Sequence, residues 1–363
     1  MAKLLIFTVS NDIIYDQRMQ RICETLVEAG YDVTLVGRNL KRKPDKDFVF
    51  RTKRLSCFFN SGKLFYAELN IRLFLYLVFQ KFDALCAVDL DTAMPVWAAA
   101  KLKNKPFGLD AHEYFQEVPE VVNRKHIQKI WERVGRFVIP KTNFRYTVSP
   151  GLAREFKDLY NVEFEVVRNL PKFKPHQAEF PSQPFLLYQG ALNKGRGLEA
   201  LIRAAQHIPI PVKIAGEGDL SQELRALSGS LNLENKVTFL GYLKPEELQE
   251  LTPNAFLGYN LLENTGLSYY YSLANKFFDY TMAGVPCLNS PFPEYKYLNE
   301  KYDIGILTEL TENQIVKAVT DLYSNREHYL VISENCLVAA KELNWEKEKQ
   351  ILLEIYKRII PTP

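Results

Sequence analysis

The sequence predicts an α/β protein made of two Rossmann-like halves, each a doubly wound parallel sheet. Three observations lead there. Residues 3–10 (KLLIFTVS) read as a buried strand, residues 17–29 as an amphipathic helix stopped by Gly30, and residues 32–37 as a second strand. Strand, helix and strand within about 35 residues make a βαβ unit with parallel pairing. The same alternation restarts near Pro184, after a connector over residues 169–183 that holds Pro171, Pro175 and Pro181. At 363 residues, each half is long enough to bury its own core.

Short apolar runs at 84–88, 106–109 and 146–148 read as further strands of the first half, with helices over 94–102 and 151–159. The second half opens with strand 185–188, helix 198–207, strand 212–215, helix 221–228 and strand 237–240. It continues with helix 245–250, strand 255–259, a helix from Asn275 stopped at Gly284, strand 287–288 and a helix from Glu312. Residues 345–360 are helical in pattern, and no internal repeat of about 20–50 residues is present. The expected division is a first domain over 1–170, a second over 171–345 and a closing helix over 346–363.

Composition narrows the class. Apolar residues make up 47% of the chain and charged ones 25%, the balance of a soluble globular protein. Met1-Ala2-Lys3 runs straight into a strand, so no secretory signal is expected, and the apolar run at 73–79 is too short to span a bilayer. Cys23, Cys57, Cys86, Cys287 and Cys336 show no paired spacing, which suits reduced thiols in a cytoplasmic protein and argues against zinc. Charge is uneven. Residues 1–170 hold 27 Lys+Arg against 20 Asp+Glu (+7) and residues 171–363 hold 19 against 23 (−4), summing to +3. The excess peaks between Arg38 and Arg54, with Phe58, Phe59, Leu64, Phe65 and Tyr66 close behind. Basic residues beside exposed aromatics suit an anionic membrane surface, on the inner face of the cell membrane; a solvated loop before a buried helix is the alternative. No helix-turn-helix, zinc-finger or RNA-binding pattern accompanies the charge, so no nucleic acid is expected.

The chemistry concentrates in residues 266–290, GLSYYYSLANKFFDYTMAGVPCLNS. Asn275 and Lys276 fall in the first turn of a helix, where free backbone N–H groups and the helix dipole favour an anion. Asp279 lies one turn on along the same face. A carboxylate is ill placed there for a phosphate but suits the paired hydroxyls of a ribose, and phosphate beside ribose outlines a nucleotide-sugar. Arg196, at another helix start, can fork onto two phosphate oxygens, and Gly190 before it lets the backbone approach a ligand.

Residues 275–286, NKFFDYTMAGVP, resemble the nucleotide-binding helix of the retaining glycosyltransferases of GT-B architecture, the large group 1 or family 4. That family's signature is Glu, seven residues, Glu, then Ala-Met-Ala-x-Gly-x-Pro. Asp279 falls on the second Glu, which holds the ribose. Tyr271 falls on the first, at the donor sugar, and brings a phenol where the family has a carboxylate. A Ser-Leu-Pro-Asn-Lys variant of the family is nearer, with Ala274 here for the proline. Tyr188-Gln189-Gly190-Ala191-Leu192 and Arg196-Gly197-Leu198 resemble the Gly-x-Leu and Lys-Gly-hydrophobic pattern, whose two cations neutralise the departing diphosphate. Arg196 falls on the Lys; Ala191 falls on the companion Arg, leaving Lys276 or Lys194 to take its place. Ile214-Ala215-Gly216-Glu217-Gly218-Asp219 resembles the family's glycine turn, with Glu217 near base or ribose, and residues 237–241 (VTFLG) its next strand. In the first half, Asp110-Ala111-His112-Glu113-Tyr114 resembles the Asp-x-His-Glu/Asp loop whose His sits beside the donor sugar. Asp16-Gln17-Arg18 resembles the acceptor loop, with Asn11-Asp12-Ile13-Ile14 where a Gly pair is usual.

The resemblance implies two Rossmann-like domains facing each other across a cleft. It implies transfer of a sugar from a nucleotide-diphosphate sugar to a sugar or lipid-linked hydroxyl, with retention, in surface polysaccharide or lipopolysaccharide synthesis. Arg196, Lys276 and His112 are the expected catalytic set. Gly190, Glu217, Tyr271, Asn275 and Asp279 are expected at the donor, and Asp16, Arg18, Glu113 and Glu117 at the acceptor. No metal or other cofactor is expected, since cations and a helix dipole take that part. The near-match to a metal triplet, Asp89-Leu90-Asp91, reads as the cap of a helix over 92–100. Two alternatives share the cleft: a GT-B nucleotide-sugar epimerase, and a non-catalytic partner subunit, suggested by Tyr271 and Ala191. A Rossmann oxidoreductase is disfavoured, because no Gly-x-Gly-x-x-Gly follows the first strand.

Overall fold

The computed structural model describes residues 2–14, 16–40 and 47–361. Part of the basic stretch, Lys41 to Lys46, lies outside the described residues. The chain forms two compact units: Met1–Asn169 with Glu348–Pro363, and Leu170–Lys347.

In the N-terminal unit, β1 (Leu4–Thr8), β2 (Asp32–Arg38), β3 (Arg51–Leu55), β4 (Ala84–Val88), β5 (Phe107–Ala111), β6 (Phe144–Thr147) and β7 (Glu165–Val166) form one parallel sheet. Their order is β3-β2-β1-β4-β5-β6-β7, the reversal lying at β1. The helices are α1 (Gln17–Glu28), α2 (Gly62–Phe79), α3 (Ala93–Lys103), α4 (Pro119–Val122), α5 (Lys125–Val138) and α6 (Pro150–Tyr160). β3 was not expected. Its sequence, RTKRL, is exposed and basic because it is the edge strand, where charge discourages pairing with another chain. α2 realises the helix alternative for the segment after the basic stretch: Phe65 is core rather than surface, and Tyr66 is half-buried.

In the C-terminal unit, β8 (Leu186–Gln189), β9 (Val212–Ala215), β10 (Val237–Gly241), β11 (Leu257–Asn260), β12 (Cys287–Asn289) and β13 (Gly305–Leu307) form a second parallel sheet, ordered β10-β9-β8-β11-β12-β13. Its helices are α7 (Leu198–Ala204), α8 (Ser221–Ser230), α9 (Pro245–Leu251), α10 (Leu267–Tyr270), α11 (Asn275–Met282), α12 (Pro293–Tyr302), α13 (Glu312–Ser324) and α14 (Arg326–Ala340). α11 docks on the sheet through Tyr280, whose ring fills the space left by the missing side chain of Gly258 and whose hydroxyl donates to the Leu187 carbonyl at 2.8 Å.

The last helix, α15 (Trp345–Ile359), leads the chain back into the N-terminal unit. Its Tyr356 is buried against Phe7 and Phe144, at 5.9 and 5.1 Å between ring centroids. Arg168 forks onto Glu348 at 2.8 to 3.2 Å. No helix among the described residues is long and apolar enough to cross a membrane.

Candidate active site

Two loops at the carboxyl ends of β8 and β9 build the floor of the site, and α11 supplies its wall. After Gln189 the chain turns at Gly190 (φ +134°), and after Ala215 at Gly216 (φ +147°). A side chain at Gly216 would overlap the Gly190 carbonyl, so the loops touch only because Gly216 is bare. Gly190 N–H donates to Ala215 O at 2.9 Å, and Leu220 N–H to Leu192 O at 2.9 Å, fixing one loop on the other.

Lys276 lies over this floor. A Cβ at Gly190 would stand 3.5 Å from its Cε and 3.6 Å from its Nζ. The ammonium is 3.8 Å from the centroid of the Tyr188 ring, and Tyr188 is oriented by its hydroxyl's hydrogen bond to Ala191 O at 2.6 Å. Lys276 is only 8% exposed and forms no ion pair among the described residues. Burial holds its pKa well below the ordinary lysine value, and the nearby Arg196 charge pushes it the same way, with Cys287 opposing. Arg196 lies 5.0 Å from the Tyr269 ring, and its buried Nε has no hydrogen-bond partner. Two cations therefore converge without a carboxylate to neutralise either, and a buried charge in that state is costly unless an anion joins it. Lys194 is exposed, and only its backbone carbonyl takes a hydrogen bond, from Tyr269.

Asp279 sits one turn along α11. Its Oδ2 accepts from Gln189 Nε2 at 3.1 Å, and Gln189 Oε1 in turn accepts from the Thr252 hydroxyl at 2.8 Å. Gln189 and Thr252 were not foreseen. A glutamine inside a buried strand just before Gly190 is the signal that could have found the first; nothing in the sequence marks the second. Asn275 is exposed at the helix start, and Tyr271 stacks edge-on against Tyr270 at 5.1 Å. Glu217 is exposed and pairs with Arg225 of α8 at 2.7 Å. A hydrogen bond from Ser221 and the Arg225 charge lower its pKa.

The N-terminal unit holds a second cluster at the ends of β4 and β5. His112 Nε2 is 3.2 Å from Asp89 Oδ2, and the N–H groups of His112 and Glu113 donate to Asp89 Oδ1 at 3.1 and 3.2 Å. His112 Nδ1 is buried without a hydrogen-bond partner. Burial lowers the imidazole pKa, but Asp89, Asp110 and Glu113 outweigh it and the net shift is upward. Asp89 does not cap a helix, as expected from Asp89-Leu90-Asp91; the helix begins at Ala93 without a side-chain cap, and the carboxylate is drawn to the His112 loop instead. Asp89 adopts φ +57°, a strained conformation for a non-glycine residue, which those three contacts hold in place.

Of the residues expected at an acceptor, Arg18 points inward. Its Nε and Nη2 fork onto buried Asp110 at 3.0 and 2.8 Å, and its Nη1 donates to Val167 O at 3.0 Å. Charge and spacing alone could not distinguish this internal fork from an open one. Asp16 caps α1, accepting from Met19 N–H at 2.9 Å. Glu117 accepts from Gln128 at 2.7 Å, and Glu113 is exposed.

Two doubly wound parallel sheets in one chain, the second carrying Arg196 and Lys276 beyond its first strand, define the GT-B class of two Rossmann-like domains. Residues 171–337 match the family model of Glycosyl transferases group 1, and residues 17–172 that of Glycosyltransferase Family 4. The chain is a glycosyltransferase of the GT-B family. Among solved structures it is similar to sucrose-phosphate synthase from Thermosynechococcus elongatus, 15% identical over 98% of each chain with a TM-score of 0.84. It is also similar to Anabaena HepE in complex with UDP and glucose, 13% identical over 98% of this chain and 100% of that one, TM-score 0.77. Over 60 residues it is 47% identical to a Campylobacter jejuni enzyme, N-acetylgalactosamine-N,N'-diacetylbacillosaminyl-diphospho-undecaprenol 4-alpha-N-acetylgalactosaminyltransferase. That match covers 16% of this chain and 16% of the curated relative.

Proposed function

We propose that the enzyme takes a sugar from a nucleoside diphosphate sugar and joins it, with retention of configuration, to a hydroxyl of a lipid-linked glycan. One observation carries the donor part: Lys276, buried over Gly190 at the head of α11, has the Arg196 charge near it and no ion-pair partner among the described residues. As the glycosidic bond loosens, negative charge grows on the leaving diphosphate, and cations already in place stabilise that state more than the intact donor. Asp279, oriented by Gln189, takes the ribose hydroxyls. In the N-terminal unit, Asp89 holds His112 Nε2, which leaves Nδ1 for a sugar hydroxyl. Retention rests on the resemblance of residues 275–286 to the retaining enzymes. UDP is the first nucleotide to test, because HepE is similar in fold and its structure holds UDP. The lipid-linked acceptor is supported by the undecaprenol relative.

The test is thermal stabilisation across UDP-, GDP- and ADP-sugars, followed by donor hydrolysis with wild type and Lys276→Met. One donor is expected to stabilise the protein and to be hydrolysed, with the variant slower by about two orders of magnitude. Equal rates for the two proteins would remove the assignment of Lys276. Proton NMR of the glycosylated product reads its anomeric configuration, and inversion would overturn retention.

A further inference from the structure

We propose that the outer side of the α2–α3–α5 layer of the N-terminal unit docks on an anionic lipid surface. The inference is independent of the donor site. α2, α3 and α5 each join strands running in one direction across the sheet, so right-handed crossovers put all three on one face. Aromatic contacts bind them together: Tyr66 of α2 meets Trp131 of α5 at 5.5 Å, and Trp97 of α3 meets Phe137 of α5 at 4.8 Å.

α2 is apolar on two opposite sides. Phe65, Leu69, Leu73 and Leu77 are buried on the sheet. Half a turn away, Leu64, Ile71, Leu75 and Phe79 form a second stripe at helical spacing, exposed by 53, 60, 50 and 81%. Packing within the unit explains the first stripe and not the second. Ile127 and Ile130 add exposed apolar side chains on α5, and Phe58 (85% exposed) stands just before α2.

Charge selects the occupant. On α5, Lys125, Lys129, Arg133 and Arg136 are exposed, and none forms an ion pair among the described residues. Unpaired lysine among apolar side chains is unlike the core of a protein–protein interface, which is depleted of lysine. A second copy of the chain, related by a two-fold axis, would bring these cations against themselves. Anionic headgroups satisfy them while the α2 stripe enters the acyl boundary.

The experiment is flotation with phosphatidylcholine vesicles with or without phosphatidylglycerol. Wild type is expected to float only with phosphatidylglycerol, and to be released by high salt. Lys129→Gln/Arg133→Gln should weaken binding roughly thirtyfold, and Ile71→Ser/Leu75→Ser should weaken it at low salt without removing its salt dependence. Melting temperature and nucleotide binding should match wild type in both variants, which separates lost docking from lost folding. Failure of wild type to float, or flotation of both variants like wild type, overturns the proposal. So does dimerisation by light scattering that the variants abolish, which would make the face a contact between copies.

Discussion

Lys276 is the residue on which the proposed donor site turns. Its amine is buried beside another cation, so the free protein holds its proton less tightly than the unfolded chain does. The sign follows from that. The unfolded chain binds the extra proton, so ligand-free stability rises with pH from the lowered folded pKa toward the ordinary value near 10.5, and the deficit is full below that window. Lys276→Met removes the deficit, so it should melt higher than wild type near neutral pH while losing the stabilisation given by nucleotide. A diphosphate favours the protonated amine, so nucleotide binding measured at a pH between the lowered and the ordinary lysine pKa should take up a proton in wild type and not in the variant. Calorimetry in buffers of different ionisation enthalpy reads this, and a wild-type heat independent of buffer would contradict it. Asp279→Asn should raise the donor KM by tenfold or more with little change in kcat, since a hydrogen bond to a charged group is worth about 1.5–3 kcal/mol. Gln189→Leu, which removes one hydrogen bond from the carboxylate, should move KM in the same direction by less; steady-state kinetics checks both.

At the scale of elements, the paired glycine loops and the buried ion pair set the geometry. Gly216→Ala would force a methyl group into the Gly190 carbonyl, and the C-terminal unit should lose about 3 kcal/mol or more in urea unfolding. Arg18→Met strands buried Asp110 and should cost the N-terminal unit about 3–5 kcal/mol in the same measurement. Unfolding like wild type would contradict either assignment. These elements differ in how readable they were. Strands 185–188, 212–215 and 287–288 announced themselves as apolar runs between turn residues, and the α11 helix through Asn275 and the Gly284 stop. β3 did not, because an edge strand rich in Arg and Lys has neither an apolar run nor an alternation to detect. Arg18 and Asp16 sat where the resemblance places an acceptor loop, but a bidentate internal fork and a helix cap use the same residue types as a binding site. Which of them faces a ligand is decided by side-chain direction, which no pattern encodes.

At the scale of the whole molecule, the chain leaves its first unit at Asn169 and re-enters it at Glu348. The pattern at 345–360 foretold a helix, but its anchoring rests on long-range contacts that no pattern shows: Tyr356 in the aromatic core, Glu348 on Arg168, and the Tyr31 hydroxyl on Ile360 O at 2.9 Å. Truncation after Lys347 would remove buried Leu352, Ile355 and Tyr356 and uncover Phe7 and Phe144. Limited proteolysis should then cut the N-terminal unit faster than in the full chain, and equal cutting would contradict the anchoring role. The proposed nucleotide contacts, Arg196, Lys276 and Asp279, all belong to the C-terminal unit, and they are read most directly by the affinity difference between UDP and uridine. Titration calorimetry should show wild type binding UDP far more tightly than uridine, with Lys276→Met losing most of that difference. A Lys276→Met protein that still prefers UDP to uridine as strongly as wild type does would contradict the account.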